Sequence, residues 1–323
     1  MRISVALCTF NGQAYLARQL RSLADQERRP DELVVFDDAS TDGTVQILRD
    51  FVENSPFEVR LHVNPARLGM TGNFQSSIAA ANGDMIACCD QDDVWYPEKL
   101  ALLEEEFSNG PADMVFSDAD LVDDQLRPLG RRLWESIGFD QRQLGFCRAG
   151  LLWSRLIRFN AVTGAGMAFS SAWRDLLLPI PKGWVHDGWI AMLLSIVGRS
   201  RAVEEPLWAY RRHGGQQIGA GPAGLAQTVE MARRMDQAYF QLLEANYTVV
   251  MNRLSRLSLE PCISDHLWEK IVHCRNRAAM RSARAKKSQL IAAELFSGRY
   301  GRCALGWKSL AQDIWLARAK NGK

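Results

Sequence analysis

The chain has 323 residues, of which 47% are hydrophobic and 24% charged, with a formal net charge of +2. That length exceeds one typical domain, and the composition is that of an ordinary folded protein rather than a disordered or fibrous one. The longest uncharged apolar stretch, Trp189 to Gly198, is too short to cross a bilayer, and the apolar run after Met1 is too short for a secretory signal. The seven cysteines form no Cys-x-x-Cys pair, and Cys8, Cys88 and Cys89 sit in apolar runs, which reads as buried thiols in a reducing, cytoplasmic compartment.

Strand and helix signals alternate through the first half. Ile3–Phe10 reads as a strand and Ala14–Ala24 as an amphipathic helix. Glu32–Phe36 is a second strand, and Ser40 to Thr44 supplies capping side chains for a helix over Val45–Val52. Val59–Val63 and Gly72–Ala81 repeat the pair. Met85–Cys89 follows as a buried strand, and Pro97 opens a helical pattern. Met114–Ser117 continues the alternation, which predicts an α/β fold with a mostly parallel sheet flanked by helices. Gly130–Phe159 is irregular, Val162–Phe169 reads as a tight turn and a strand, Asp187–Val197 as a helix and Val203–Tyr210 as a strand. The glycine-rich stretch from Gly214 to Gly224 marks a boundary, predicting one domain over 1–220 and a helical C-terminal region over 221–323.

Chemistry-bearing side chains fall at strand ends, where open α/β sheets bind ligands. Thr9-Phe10-Asn11-Gly12 offers an aromatic ring that can stack on a base, with Asn11 and Gly12 turning the chain. Asp37-Asp38 supplies a carboxylate that can accept the N3–H of uracil or thymine; helix capping accounts for Ser40 and Asp42 but not for this pair. Arg67 can meet phosphate, and Gly164 with Gly166 permits close backbone approach to a ligand. Asp90-Gln91-Asp92-Asp93 crowds three carboxylates at one strand end, and hard oxygen ligands suit Mg²⁺ or Mn²⁺. A divalent ion on an acidic loop is what a diphosphate needs. Asp187 opens a helix between His186 and Trp189, where burial raises a carboxylate's proton affinity. Trp153, Trp184 and Trp189 are candidates for an apolar sugar platform, although tryptophans in such number are as often core. No GxGxxG follows the first strand and no GxxxxGK[ST] is present, which disfavours a dinucleotide fold and excludes P-loop chemistry.

These motifs, in this order, resemble family 2 glycosyltransferases over about residues 1–220. The Asp90-Gln91-Asp92-Asp93-Val94-Trp95 form is similar to the bacterial rhamnosyltransferase-like branch, as are Gly164 to Phe169, His186 to Ala191 and Tyr210-Arg211-Arg212-His213-Gly214. The resemblance implies a GT-A fold, a dTDP- or UDP-sugar donor and a divalent metal. It sets Phe10 and Asp38 against the base and ribose, with Thr9, Asn11, Arg67, Gln91 and Gly166 completing the donor site. Asp90 and Asp92 fall at the sugar and metal, His213 near the diphosphate or metal, and Asp187 in the role of catalytic base. The branch often carries Asn shortly after that histidine, where this chain has Gly215-Gln216-Gln217. The implied activity is inverting, metal-dependent transfer of L-rhamnose from dTDP-L-rhamnose to a cell-surface glycan such as a lipopolysaccharide O-antigen on a lipid carrier. A UDP-hexose transferase and a catalytically silent nucleotide-sugar-binding subunit are the alternatives.

Between Lys270 and Ala293 there are seven Lys or Arg and no Asp or Glu. Arg275, Arg277, Arg281, Arg284, Lys286 and Lys287 alternate with apolar residues. They predict either a solvated helix face or a surface for anionic lipid or a lipid-linked acceptor at the inner face of the membrane. No nucleic-acid-binding module is recognisable. Oligomeric state is not encoded in any motif.

Overall fold

The computed structural model describes residues 1–214, 234–282 and 286–319. The glycine-rich boundary, Gly215 to Gln217 and Arg284 lie outside them. The chain forms two compact units. Among the described residues, the first holds Met1–Leu152, Ala161–Ile180 and 184–214, and the second Trp153–Asn160, Pro181–Gly183 and residues from 234 onward.

The first unit is built on a nine-stranded sheet in the order β3-β2-β1-β4-β8-β6-β9-β5, with β7 paired to β6. Strands β1 (Ile3–Thr9), β2 (Glu32–Asp37), β3 (Glu58–Val63) and β4 (Met85–Asp90) run parallel. Helices α1 (Leu16–Ala24), α2 (Thr44–Asn54) and α3 (Met70–Ala80) connect them. Every residue of β1 is buried, as expected of a strand covered on both faces. Leu16, Leu20 and Leu23 recur on the inner face of α1, each worth about 1.5–3 kcal/mol when fully removed from water.

The second half of the sheet departs from the simple alternation. Strand β8 (Met167–Ser170) lies antiparallel between β4 and β6 (Met114–Val122). Strand β9 (Ser200–Arg211) runs parallel to β6, and β5 (Val94–Trp95) pairs antiparallel with β9. The Gly130–Phe159 stretch contributes β7 (Pro128–Arg132) and the short helices Leu133–Ile137, Gln141–Arg148 and Trp153–Leu156. A four-residue strand such as β8 carries too little period to announce its direction. Its neighbours decide it.

The second unit is helical in its described residues. It contains helices Gln237–Leu254, Pro261–Met280, Lys287–Phe296, Arg299–Cys303 and Trp307–Ala319. Part of its basic segment is turned inward. Arg277 and Arg281 are turned inward, donating to Oδ1 of buried Asp313 at 2.9 and 2.6 Å, and Tyr300 donates to Oδ2 at 2.8 Å. Lys270 donates to the Cys303 carbonyl at 2.7 Å, and Arg275 to Glu244 at 2.8 Å. The absence of acids nearby in sequence concealed these partners, because Glu244 and Asp313 arrive from other helices. No described helix is long and apolar enough to cross a membrane.

Glu294 is fully buried and receives hydrogen bonds from His273, Asn276 and Arg299. Burial alone would raise its proton affinity, but these donors outweigh it and hold the carboxyl at about 2, against an ordinary 4.5. Its contribution to stability is therefore complete above about pH 4.5 and is lost as pH falls toward 2. Hydrogen exchange of the Pro261–Met280 amides should be faster in Glu294→Gln than in the parent at pH 6, with the difference shrinking at pH 3.

Candidate active site

The parallel register places three strand ends side by side. Cys8 of β1 is level with Phe36 of β2 and Asp90 of β4, and Thr9 is level with Asp37. The chain turns sharply past two of these ends, with Asn11 at φ 47° and Ala39 at φ 60°, a region sparsely allowed for side-chain-bearing residues. Side chains hold both turns. Thr9 Oγ1 donates to Asp37 Oδ2 at 2.7 Å, and the Ser40 N–H donates to Asp37 Oδ1 at 2.8 Å. The Asn11 N–H donates to Ser40 Oγ at 2.8 Å, while Asn11 Oδ1 accepts from the Thr41 N–H at 2.9 Å. Thr9 and Asn11 are thus braces between neighbouring loops.

Asp38, buried at the β2 tip, accepts from the Leu68 N–H at 2.6 Å, the Gly69 N–H at 2.9 Å and Asn64 Nδ2 at 3.3 Å. Its Oδ2 also lies 3.8 Å from Arg67 Nε, so the fourth of its roughly four lone-pair sites has a guanidinium beside it. Arg67, carried by the same loop, stacks its guanidinium 3.7 Å from the centroid of the Phe10 ring. Gln91 clasps the Phe10 backbone twice: the Phe10 N–H donates to Oε1 at 2.8 Å, and Nε2 donates to the Phe10 carbonyl at 3.0 Å. Phe10, Asp38, Arg67 and Gln91 therefore meet in one place, tied to one another.

The acidic loop follows. Asp90 stands at the end of β4, and its proton affinity is raised by burial first and then by the charges of Asp92 and Asp187. Asp93 is buried and likewise raised, by burial and then by Asp92 and Asp90. Asp187, at the start of helix His186–Val197, accepts from the Gly164 N–H at 3.3 Å and from the Gly188 N–H. Burial pushes it up to about 6 against these hydrogen bonds. Nε2 of His213 lies 2.9 Å from Asp92 Oδ2. Among the described residues no three His, Cys, Asp or Glu side chains converge to enclose an ion. Asp92 and His213 instead make a two-donor corner amid mutually repelling carboxylates. That donor set fits Mg²⁺ or Mn²⁺, which keep waters and substrate phosphates as their remaining ligands.

Some readings change with the structure. Gly164 and Gly166 permit close approach to the chain's own side chains: an added Cβ would lie 2.5 Å from His186 Nε2 at Gly164, and 3.2 Å from Trp208 Nε1 at Gly166. Trp189 is core, donating to the Leu177 carbonyl at 2.7 Å, and Trp153 belongs to the second unit. Trp184 packs its ring on Trp189, centroids 5.7 Å apart, and the fully buried Trp189 presents no face to a sugar.

Other residues enter the site without having been singled out. Arg211 Nε donates to the Asp92 carbonyl and Nη1 to the Asp124 carbonyl, each at 2.7 Å, while the Arg211 N–H donates to Asp93 Oδ1 at 3.1 Å. Tyr15 lies beneath both the Arg211 guanidinium, at 4.9 Å, and the His213 ring, at 4.4 Å. Lys99 is buried, donates to the Ala165 carbonyl and lies 3.9 Å from the centroid of the Trp95 ring; burial pushes it down to about 7. A Lys two residues after a helix-opening Pro was a visible signal, but its burial was not.

The model of glycosyl transferase family 2 matches residues 4–174. Among curated proteins, the uncharacterized glycosyltransferase alr2836 of Nostoc sp. is 29% identical over 66% of this chain and 66% of its own length. The putative glycosyltransferase EpsE of Bacillus subtilis is 26% identical over 50% of this chain and 59% of its own length. This chain thus spans about two thirds or less of those relatives. The dTDP-rhamnosyl transferase RfbG of Shigella flexneri is 24% identical over 66% of this chain and 74% of its own length. Among solved structures, S. aureus TarS 1-349 in complex with UDP-GlcNAc is similar with a TM-score of 0.62 at 16% identity, covering 98% of this chain and 90% of that one. The mannosyltransferase PcManGT from Pyrobaculum calidifontis, in complex with GDP-Man and Mn²⁺, is similar with a TM-score of 0.53 at 19% identity, covering 99% and 86%. The shared architecture is the GT-A fold.

A Cβ added at Gly12 would lie 2.2 Å from Gln91 Oε1. Gly12→Ala should therefore push the Gln91 amide off the Phe10 backbone and cost about 1–3 kcal/mol. Faster exchange of the Phe10 amide, with the β3 amides unchanged, is the expected signature.

Proposed function

The chain belongs to glycosyl transferase family 2, and from that premise we propose an inverting, metal-dependent transfer of L-rhamnose from dTDP-L-rhamnose to a hydroxyl of a glycan acceptor. The observation that carries this reading is the placement of Asp187, fixed by the Gly164 N–H at 3.3 Å on a turn that packs against β4, the strand that ends in Asp90. An Asp at about 6 is ionised at neutral pH yet basic enough to accept a proton. In the proposed reaction the Asp187 carboxylate takes the proton of the acceptor hydroxyl. The oxygen then forms its bond to the anomeric carbon as the bond to the diphosphate breaks on the opposite face. Asp92 and His213 would hold Mg²⁺ or Mn²⁺, which supplies charge neutralisation for the departing nucleoside diphosphate.

Phe10 offers its ring and Asp38 its carboxylate to the base. Arg67, stacked on Phe10, is placed to be displaced by the base or to close over it. Thr9 and Asn11 hold the turns on which this pocket depends, and Gly166 leaves room for the buried Trp208 indole beside it. The rhamnosyl choice is supported by the name of the Shigella relative, and metal use by the Mn²⁺ in the mannosyltransferase complex. A UDP-hexose donor is the second reading, since uracil and thymine offer Asp38 the same N3–H. The proposed acceptor is a lipid-carried surface glycan such as an O-antigen, met at the cytoplasmic face of the membrane.

Two measurements test this. Calorimetry with dTDP, UDP and GDP, each with and without Mg²⁺, should give metal-dependent binding strongest for dTDP. UDP preference would move the donor to a hexose, and no binding would overturn the reading. Asp187→Asn should lower turnover by about 10²–10⁴-fold with donor affinity nearly unchanged, and parent activity should fall as pH drops through about 6. Retained transfer in that variant would remove Asp187 from the role of base.

A further inference from the structure

The helix Trp307–Ala319 is inside out. Its inward face carries Ser309 and Asp313, both buried, four residues apart. Asp313 is fastened there by Arg277, Arg281 and Tyr300. The opposite face carries Trp307, Ala311, Ile314 and Trp315, spaced i, i+4, i+7 and i+8, and all are exposed. An ordinary surface helix buries that stripe and shows its polar side. Here the buried ion pairs set the rotation of the helix and leave the stripe in water.

The stripe has company. Phe296, ending the preceding long helix, is 89% exposed, and Trp307 is 74% exposed; Leu295 and Leu305 are exposed as well. Within 286–319 the carboxylates are Glu294 and Asp313, and both are buried and paired. Lys286 and Lys308 are exposed and Lys287 is partly exposed. The exposed side chains of this stretch are therefore largely apolar and aromatic, joined by lysines and Arg302, and include no carboxylate.

We propose that this face lies against a bilayer containing anionic lipid. The tryptophans, Phe296 and the leucines would enter the boundary between headgroups and acyl chains, with the lysines meeting lipid phosphates. A second copy of the chain is the poorer occupant. A two-fold contact brings the same patch together from both sides, so its lysines would meet one another, and residues 286–319 offer no exposed carboxylate to receive them. Anionic headgroups supply that missing charge. The inference rests on side-chain placement in the second unit and stands apart from the choice of sugar donor.

Co-sedimentation of the full chain with phosphatidylcholine vesicles, with and without phosphatidylglycerol, tests it. Binding should occur and be stronger to the anionic vesicles. The combined variant Phe296→Ser/Trp307→Ser/Trp315→Ser should weaken partitioning at least about tenfold, since each substitution removes a large apolar group from the insertion. Lys286→Gln/Lys287→Gln/Lys308→Gln should erase the preference for anionic vesicles. Unaltered calorimetric binding of nucleotide shows that either variant is folded, and it reports on the donor reading separately. Equal partitioning of parent and aromatic variant, or no partitioning of the parent, would overturn the proposal. So would light scattering that shows a stable dimer which the aromatic variant converts to monomer.

Discussion

Negative charge in a half-buried pocket costs free energy unless something positive approaches, and Asp90, Asp92, Asp93 and Asp187 impose that cost on everything around them. The chain answers with cations of its own. Lys99 is buried close enough to Asp90 and Asp93 for its charge to offset theirs, and Arg211 grips the loop through the Asp92 and Asp124 carbonyls. The acidic loop is thus held in place by Arg211, which arrives from β9, distant in sequence, with Lys99 offsetting its charge.

The parallel half of the fold was legible because its signals are local. Apolar runs such as Val5–Leu7 and Ile86–Cys89 end abruptly in polar motifs, and α/β topology brings strand ends together. The acidic stations at Asp38 and Asp90 followed from that alone. What sequence reasoning missed depends on distant backbone. Arg211 acts on carbonyls, which leave no residue-level trace, and the close neighbours of Gly164 and Gly166 belong to His186 and Trp208. Strand β8 took its antiparallel direction from the neighbours on either side.

The basic C-terminal segment carries a different lesson. A run of cations without acids reads as a charged face only if its counter-charges are assumed to be local. Here buried Asp313 and Glu294 arrive from later helices and draw Arg277, Arg281, His273 and Arg299 inward. Breaking such a pair leaves uncompensated charge in the interior, a cost of about 3–5 kcal/mol, so the pairs dictate which way each helix faces. Hydrophobicity does not choose the orientation of the last helix. Electrostatics does.

Gln91 links what would otherwise be two separate ends of a pocket. It sits within the Asp90–Asp93 loop, yet both of its hydrogen bonds go to the backbone of Phe10. A displacement of the acidic loop is therefore transmitted to the aromatic ring by a rigid amide rather than through solvent. Thermodynamic linkage makes that traffic reciprocal: whatever occupancy of one end does to the other, the other returns in equal measure. A ligand that moved either end would therefore change affinity at the other by the same factor, whichever of the two arrived first.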